Sequence, residues 1–273
     1  MDLTVLEETP PWEWPLETDR FLRDVLMDDR AAAADRVLAA ELAGDFAVIN
    51  DDLARALLSI LENGSASEDL RGTAAISLGP VLEQGDIFEF DDPDDVPISE
   101  DTFTTIQETL RRLFGDDRVP RKVRRRILEA SVRAPQDWHP DAVRTAFASD
   151  NEAWRLTAVF AMRWIRGFEP QILEALESTN PDIHYQAVCA AGNWEVDEAW
   201  PHVSRLLQDP TTEKTLLLAA IDAVAAIRPQ EAGMFLVDLT RSDDQDIVDA
   251  AHEAAMMAEA TLEADLEDDA DLD

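Results

Sequence analysis

The sequence predicts an all-α fold, a helical solenoid of about six helix pairs, and three observations favour it. Ala, Leu and Glu dominate the composition, and alternating runs of β-branched residues are missing, so strands have little support. Apolar residues recur at three- and four-residue steps, as in Arg125–Ala134 and Ala153–Arg166. Short connections rich in helix-breaking and N-capping residues, such as Asn180-Pro181-Asp182, separate these segments.

The predicted helices come in order along the chain. Residues 1–50 form an N-terminal extension with two capping helices, Thr18–Met27 and Arg30–Ala43. Residues 51–260 hold the repeats, each an outer helix, a turn and an inner helix. The six pairs are Asp51–Asn63 with Ser67–Gln84, Ser99–Phe114 with Arg121–Ala134, Pro140–Ser149 with Asn151–Arg166, Glu169–Ser178 with Asp182–Asn193, Asp197–Gln208 with Glu213–Arg228, and Gln230–Arg241 with Asp246–Ala260.

Positions near the middle of the inner helices recur with a nearly constant period. Leu128, Ala158, Ala187, Ala219 and Ala251 are separated by 30, 29, 32 and 32 residues. A period of this length is typical of a solenoid in which each helix pair packs against its neighbours.

The inner helices start with a recurring Asp and Ala pattern, seen in SDNEAWRLTAVFAMRWI, TNPDIHYQAVCAAGNW and SDDQDIVDAAHEAAMMA. We expect the Asp to cap each helix and the Ala to let neighbouring helices approach closely. On these residues the chain resembles HEAT-repeat proteins, including the HEAT-like repeats of the phycobilisome-lyase type, over about residues 51–260. The resemblance implies a right-handed α-α superhelix.

Three segments depart from the repeat pattern. Residues 85–98 (GDIFEFDDPDDVPI) are predicted to form an acidic insertion between the first two repeats. Residues 261–273 are predicted to be an acidic, disordered tail. The N-terminal Pro10–Pro15 is expected to be a stiff segment that lays Trp12 and Trp14 over the first helices, or else a ligand that docks elsewhere.

Composition excludes several classes of protein. The chain of 273 residues has 59 acids and 23 bases, a formal charge of 23 − 59 = −36, which disfavours generic attraction to nucleic acid or anionic membranes. Its single cysteine excludes an internal disulfide. The acidity, with only Lys122 and Lys214 as lysines, is typical of a halophilic cytoplasm, and a GC-rich genome equally explains the preference for Arg.

Localisation and chemistry follow from motifs that are missing. The acidic N-terminus lacks the basic and apolar regions of a secretory signal, and no apolar run is long enough to cross a bilayer, so we expect a cytoplasmic protein. The sequence has no phosphate-binding loop, zinc motif or nucleophile elbow, and the Asp91–Asp95 run fails as a calcium loop. We therefore expect no catalytic residues, no metal site and no cofactor.

A basic island lies in the second repeat. Nine of the 23 bases fall within Arg111–Arg133. Arg121, Arg124, Arg125 and Arg126 on its inner helix are candidates for holding an anionic partner, because guanidinium groups bind carboxylates and phosphates in a bidentate manner. The alternative is neutralisation inside the protein by the neighbouring acidic insertion.

Aromatic and polar residues concentrate in the third to fifth repeats. Side chains near the ends of the inner helices are the better surface candidates, since Trp and Tyr combine apolar contact with a polar group. These are Trp154, Arg155, His184, Tyr185, Asn193 and Trp194. Inter-repeat packing is the alternative role for the Trp residues.

Together these features predict a non-enzymatic, monomeric scaffold that binds a protein partner on the solenoid surface. Two alternatives stay open. The resemblance allows a lyase or a lyase accessory subunit, although fold does not imply function. The Arg111–Arg133 island allows nucleic-acid binding.

Overall fold

The computed structural model of the chain describes residues 1–90, 92 and 95–270, with the backbone alone for 263–270. This described part consists of helices, turns and loops without a β-strand, which confirms the all-α prediction. Within it, each helix is too short or too polar to cross a lipid bilayer. The chain divides into two compact units, Met1–Ala142 and a second unit from Val143 onward.

The first unit stacks its helices in two layers. Its helices are α1 Leu3–Glu8, α2 Thr18–Met27, α3 Ala33–Leu42, α4 Asp51–Glu62, α5 Glu68–Ile76, α6 Gly79–Ile87, α7 Glu100–Phe114 and α8 Arg121–Ser131. Helices α2, α4 and α7 contact one another in sequence, and so do α3, α5 and α8. The apolar core lies between the layers, with Leu22, Leu57 and Ile106 from the first layer fully buried.

The second unit repeats this arrangement. Helix α9 spans His139–Phe147, across the boundary between the units. Its successors are α10 Glu152–Ala161, α11 Glu169–Leu176, α12 Pro181–Asn193, α13 Trp200–Gln208, α14 Lys214–Ile227, α15 Pro229–Leu239 and α16 Gln245–Ala270. Helices α10, α12, α14 and α16 pack side by side as one layer, and α11, α13 and α15 cover one side of it.

The second helix of the first pair differs from its prediction. Where one helix was expected over residues 67–84, the structure has α5 and α6, separated at Ser77 and Leu78. Pro80 stands in the first turn of α6. Because proline has no backbone N–H to donate to the preceding turn, it is tolerated only where a helix begins.

The N-terminal segment places only one of its two indoles against the protein. The Nε1–H of Trp14 donates to the carbonyls of Leu6 (3.0 Å) and Thr9 (2.9 Å), at the end of α1. Trp12 is 81% exposed. The expectation that both rings cover the first helices is therefore wrong for Trp12.

Two of the three helix starts quoted above are capped by Asn rather than by Asp. The side chain of Asn151 accepts from the backbone N–H of Trp154 (3.2 Å), and that of Asn180 accepts from Asp182 (2.9 Å). Asp244 performs the predicted capping role by accepting from Asp246 (3.0 Å). The Asp of TNPD, Asp182, lies inside the first turn instead, where its negative charge interacts favourably with the positive end of the helix dipole.

Small residues set the spacing between the second helices, as the sequence predicts. Ala158, Ala187 and Ala251 are fully buried. At Gly192 on α12, a Cβ atom would lie 2.9 Å from the Cα of Ala223 on α14. Only glycine permits this approach without moving a backbone.

The insertion and the tail are described in part. Val96 and Ile98 of the insertion are buried in the core of the first unit, while residues 91, 93 and 94 lie outside the described residues. Helix α16 runs on through residues 261–270 of the predicted tail. The last three residues, 271–273, also lie outside the described part of the chain.

Candidate functional site

Most of the basic island is paired with carboxylates inside the first unit. Its ion pairs are Arg111–Asp137, Arg112–Glu62, Arg118–Asp116, Lys122–Asp69, Arg124–Asp117, Arg125–Glu129, Arg126–Glu129 and Arg133–Glu83. Seven carboxylates thus pair with eight of the nine bases. The formal charge of the nine bases and these seven carboxylates together is 9 − 7 = +2. None of these seven carboxylates belongs to the predicted neutralising insertion. They come from α4, α5, α6, the turn before α8, α8 itself and Asp137.

The four candidate arginines of α8 point in different directions. Arg124 reaches the turn at Asp117 (2.7 Å), whereas Arg125 (3.2 Å) and Arg126 (2.9 Å) share Glu129 one turn further along the helix. Burial and the neighbouring Arg126 lower the pKa of Arg125. Arg121 is exposed, with no carboxylate within ion-pair distance among the described residues. The structure does not bring these four side chains together as one anion-binding face.

His139 lies in the core of the first unit. Its Nδ1 accepts from the backbone N–H of Gln136 (2.8 Å), and its Nε2 lies 3.0 Å from the Ser131 hydroxyl. Burial lowers its pKa to about 4, so the ring is neutral at pH 7. It stabilises the turn before α9 and is inaccessible to a partner.

Three of the predicted residues in the second unit have internal contacts at helix ends. The Trp194 Nε1–H donates to the carbonyl of Met162 (2.6 Å), and the Asn193 amide donates to that of Arg163 (3.2 Å). Both side chains therefore satisfy carbonyls at the end of α10. Trp154 is half-buried in the first turn of α10.

His184 on α12 faces His202 on α13. Their Nε2 atoms are 2.7 Å apart, and the Nδ1 of His202 lies 3.5 Å from the Glu177 carboxylate. Burial is the main cause that lowers the pKa of both rings, and Glu177 partly opposes it. The pair joins two repeats through a hydrogen bond between neutral imidazoles.

Arg155 lines a cavity beside α10 rather than an open surface. Its guanidinium lies 5.4 Å from the centre of the Phe147 ring and 3.3 Å from the Glu174 carboxylate. Gln171 and Arg144 contribute to the same cavity wall.

A row of polar side chains, which we call the polar ridge, follows the second helices of this unit. It consists of Arg163, Tyr185, Cys189, Asp222 and Glu253, from the end of α10 and from α12, α14 and α16. Arg163 and Asp222 both act electrostatically on Tyr185 and Cys189, and Glu253 acts on Asp222. These couplings indicate that neighbouring members of the ridge lie close together, with a positive charge at Arg163 and negative charges at Asp222 and Glu253.

The polar ridge contains no activated nucleophile. Burial raises the pKa of the Cys189 thiol, and Tyr185, which hydrogen-bonds to it, also has a raised pKa. A thiol with a raised pKa stays protonated at neutral pH and reacts slowly. Asp222 is exposed as a whole residue, but partial desolvation of its carboxylate and the nearby Glu253 raise its pKa.

Sequence reasoning found only Tyr185 of this ridge. A usable signal was present, because Cys189, Asp222 and Glu253 are separated by 33 and 31 residues, close to the repeat period. Polar residues at equivalent positions of successive repeats indicate a shared exposed side. Metal ligation has no comparable support, since the described residues contain no cluster of three or more His, Cys, Asp or Glu side chains arranged to hold an ion.

Comparison with known proteins identifies the repeats of the second unit. Residues 169–257 match the HEAT repeats family. No curated protein matches the chain. Among solved structures, human deoxyhypusine hydroxylase in complex with glycerol is 15% identical, with a TM-score of 0.41 and coverage of 94% of this chain and 96% of that one.

Two further structures are similar over most of the chain. YibA of Escherichia coli is 16% identical, with a TM-score of 0.49 and coverage of 90% of this chain and 84% of that one. An engineered protein is also 16% identical, with a TM-score of 0.37 and coverage of 90% and 98%.

Proposed function

Since residues 169–257 match the HEAT repeats family, we propose that the protein is a non-enzymatic scaffold that binds a protein partner along the polar ridge. The observation that carries the proposal is the electrostatic coupling of half-exposed and exposed polar side chains from the end of α10 and from α12, α14 and α16, which pack side by side. Solenoids bind through extended surfaces of this kind, on which shape and charge are matched over several repeats.

The charges of the ridge indicate the chemistry of the partner. Arg163 at one end suits an acidic group, and Asp222 with Glu253 at the other suits a basic one. Tyr185 between them offers a ring for apolar contact and a hydroxyl for hydrogen bonding. We therefore propose a partner segment that changes sign along its length and crosses the second helices.

The proposed scaffold has no catalytic activity. The comparisons do not test this part of the proposal, because one of the similar structures is a hydroxylase. The protonated thiol of Cys189 and the neutral His184–His202 pair are consistent with a binding role. We assign no residue to a lyase or lyase accessory role. Nucleic-acid binding is disfavoured because the basic island and its paired carboxylates together have a formal charge of only +2.

The test is affinity capture from host lysate at matched salt with three forms of the protein. These are the wild type, a ridge variant with Arg163→Glu and Asp222→Lys, and an island variant with Arg121, Arg124, Arg125 and Arg126 changed to Gln. We expect a protein that is captured by the wild type and the island variant and lost from the ridge variant. Circular dichroism confirms that both variants keep their helices.

Two outcomes contradict the proposal. A partner that is lost from the island variant and kept by the ridge variant moves the binding surface to the first unit. Captured nucleic acid whose amount falls steeply with added salt replaces the scaffold role with phosphate binding.

A further inference from the structure

A cavity of about 620 Å³ opens between the end of α9, the start of α10 and helix α11. This volume lies in the range of clefts that hold small molecules or anchoring side chains. The polar ridge does not include it, and the proposed scaffold role does not require it. The cavity is therefore a second, independent site.

The charged side chains of the wall balance one another. Arg144 and Arg155 supply two positive charges, and Asp150 and Glu174 supply two negative charges. Each guanidinium also lies over an aromatic ring, Arg144 at 5.5 Å from the centre of Phe168 and Arg155 at 5.4 Å from that of Phe147. A wall with no net charge favours an uncharged polar ligand over an ion.

Two buried atoms of this wall lack hydrogen-bond partners among the described residues. They are the Nε of Arg155, which is a donor, and the Oε1 of Gln171, which is an acceptor. Leaving a buried polar atom unpaired is unfavourable, so such atoms are rare in native proteins. Here one unpaired atom is a donor and the other an acceptor, and both belong to residues that line one cavity.

We infer that this cavity binds an uncharged amide group. The amide carbonyl accepts from the Arg155 Nε–H, and the amide N–H donates to the Gln171 Oε1. A carboxylate has no donor for Gln171, and an ammonium group has no acceptor for Arg155. The amide comes from an Asn or Gln side chain, from a peptide backbone or from a small molecule, which all share this chemistry.

Glu174 forms an ion pair with Arg155 that a ligand has to displace. Its carboxylate lies 3.3 Å from the Arg155 guanidinium, and both side chains of this pair are partly exposed. Exposed pairs of this kind are weak, so a ligand can displace the carboxylate. Since the Arg155 Nε and the Gln171 Oε1 are both buried, a ligand reaches them only when side chains of the cavity wall move. A ligand that binds Arg155 therefore competes with the Glu174 carboxylate.

The experiment observes the arginine Nε–H signals by ¹H–¹⁵N NMR during titration with four probes. The probes are propanamide for a side-chain or free amide, N-methylacetamide for a backbone amide, sodium propionate and propylammonium chloride. The Arg155 signal is assigned by its loss in Arg155→Lys. We expect propanamide or N-methylacetamide to shift it saturably and the two charged probes not to. Whichever amide binds more tightly identifies the source.

Arg163 provides a matched control within the same protein. Within the described part of the chain, its Nε is also buried without a hydrogen-bond partner. Its guanidinium lies 5.1 Å from the centre of the Trp164 ring, and it does not line the cavity. We expect the chemical shift of the Arg163 Nε–H signal to remain unchanged when the amide probes are added. Gln171→Leu should weaken amide binding at least about fivefold, and Glu174→Gln should strengthen it about two- to fivefold.

Three results overturn the inference. The first is a propionate shift at Arg155 as large as the amide shift, which makes the site an anion site. The second is an equal response of Arg155 and Arg163, which indicates non-specific binding. The third is the absence of a saturable amide shift in the wild type, a measurement that does not depend on any variant folding.

Discussion

The Nε2 atoms of His184 and His202 lie 2.7 Å apart, so one ring donates and the other accepts. Because the Nδ1 of His202 is directed to Glu177 (3.5 Å), this nitrogen carries the proton of His202. The Nε2 of His202 is then the acceptor, and His184 donates its Nε2–H. The contact joins α12 to α13 and is lost when both rings are protonated, because two Nε2–H donors then face each other.

This pair predicts a loss of stability in mild acid. Burial lowers the pKa of both histidines below the ordinary value of about 6.5, and Glu177 opposes this shift in both. His202 further lowers the pKa of His184, and Arg205 further lowers that of His202. The unfolded chain therefore binds more protons below this pH. The pair makes its full contribution to the free energy of unfolding above about pH 7, and this contribution is lost as the pH falls through about 6.5. After discounting for partial exposure, we expect a loss of up to about 1 kcal/mol.

Urea unfolding at pH 7.5, 6.5 and 5.5 measures this effect. The double variant His184→Gln, His202→Gln should show a smaller fall in the free energy of unfolding, while His252→Gln, at an exposed position, should behave as the wild type. Some slope remains in every form because the pKa of buried His139 is lowered to about 4. An unchanged slope in the double variant would show that the pair does not titrate with folding.

The contact of Gly192 with Ala223 predicts a size limit between α12 and α14. Gly192→Ala places a methyl group 2.9 Å from the Cα of Ala223, so the helices must move apart. We expect the free energy of unfolding to fall by about 1–3 kcal/mol. Gly233→Ala on α15 is the control, because no atom of the described residues lies within 4 Å of its added Cβ. It should stabilise the protein by about 0.5–1 kcal/mol. Equal effects at both positions would contradict the packing argument.

The hydrogen bond from Trp194 to the Met162 carbonyl predicts a structural role for this indole. Trp194→Phe keeps a ring beneath the Arg166 guanidinium, 4.8 Å away, and removes the donor. We expect a loss of about 1–3 kcal/mol in the free energy of unfolding, measured with urea. Trp12→Phe, at a site 81% exposed, should change stability by less than about 0.5 kcal/mol. If Trp194→Phe has no effect, the carbonyl does not depend on this donor.

The charge of −36 predicts that salt stabilises the protein. Added salt screens the repulsion among 59 acids and weakens the fewer ion pairs that 23 bases can make. Differential scanning calorimetry from low to molar potassium chloride should therefore show a rising melting temperature. Sucrose at matched osmolality separates screening from solvent exclusion. A melting temperature that does not respond to potassium chloride would show that repulsion contributes little to stability.

The helices follow from local features that a single sequence displays. Thr18–Met27 is predicted to the residue, and the repeat period identifies which helices stack in the second unit. Such features predict well because apolar spacing, caps and breakers act within a few turns of the chain. The break between α5 and α6, just before Pro80, also has a local cause. The apolar pattern nevertheless predicts one continuous helix, because the flanking residues remain apolar.

The site residues depend on contacts between distant positions. Sequence proximity suggests the acidic insertion as the partner of the basic island. Among the described residues, distant carboxylates such as Glu62 and Asp69, 50 and 53 residues from their bases, also pair with it. The His184–His202 contact and the cavity at Arg155 and Gln171 arise in the same way.

The sequence by itself therefore determined the helix pairs, their period and the acidic character of the surface. Only the tertiary structure decided which charges are paired, which polar atoms lack partners and which side chains share one side of a layer. The reason is geometric. Helix periodicity determines which side of a helix is buried, but the rotation and spacing of neighbouring helices determine which exposed side chains meet.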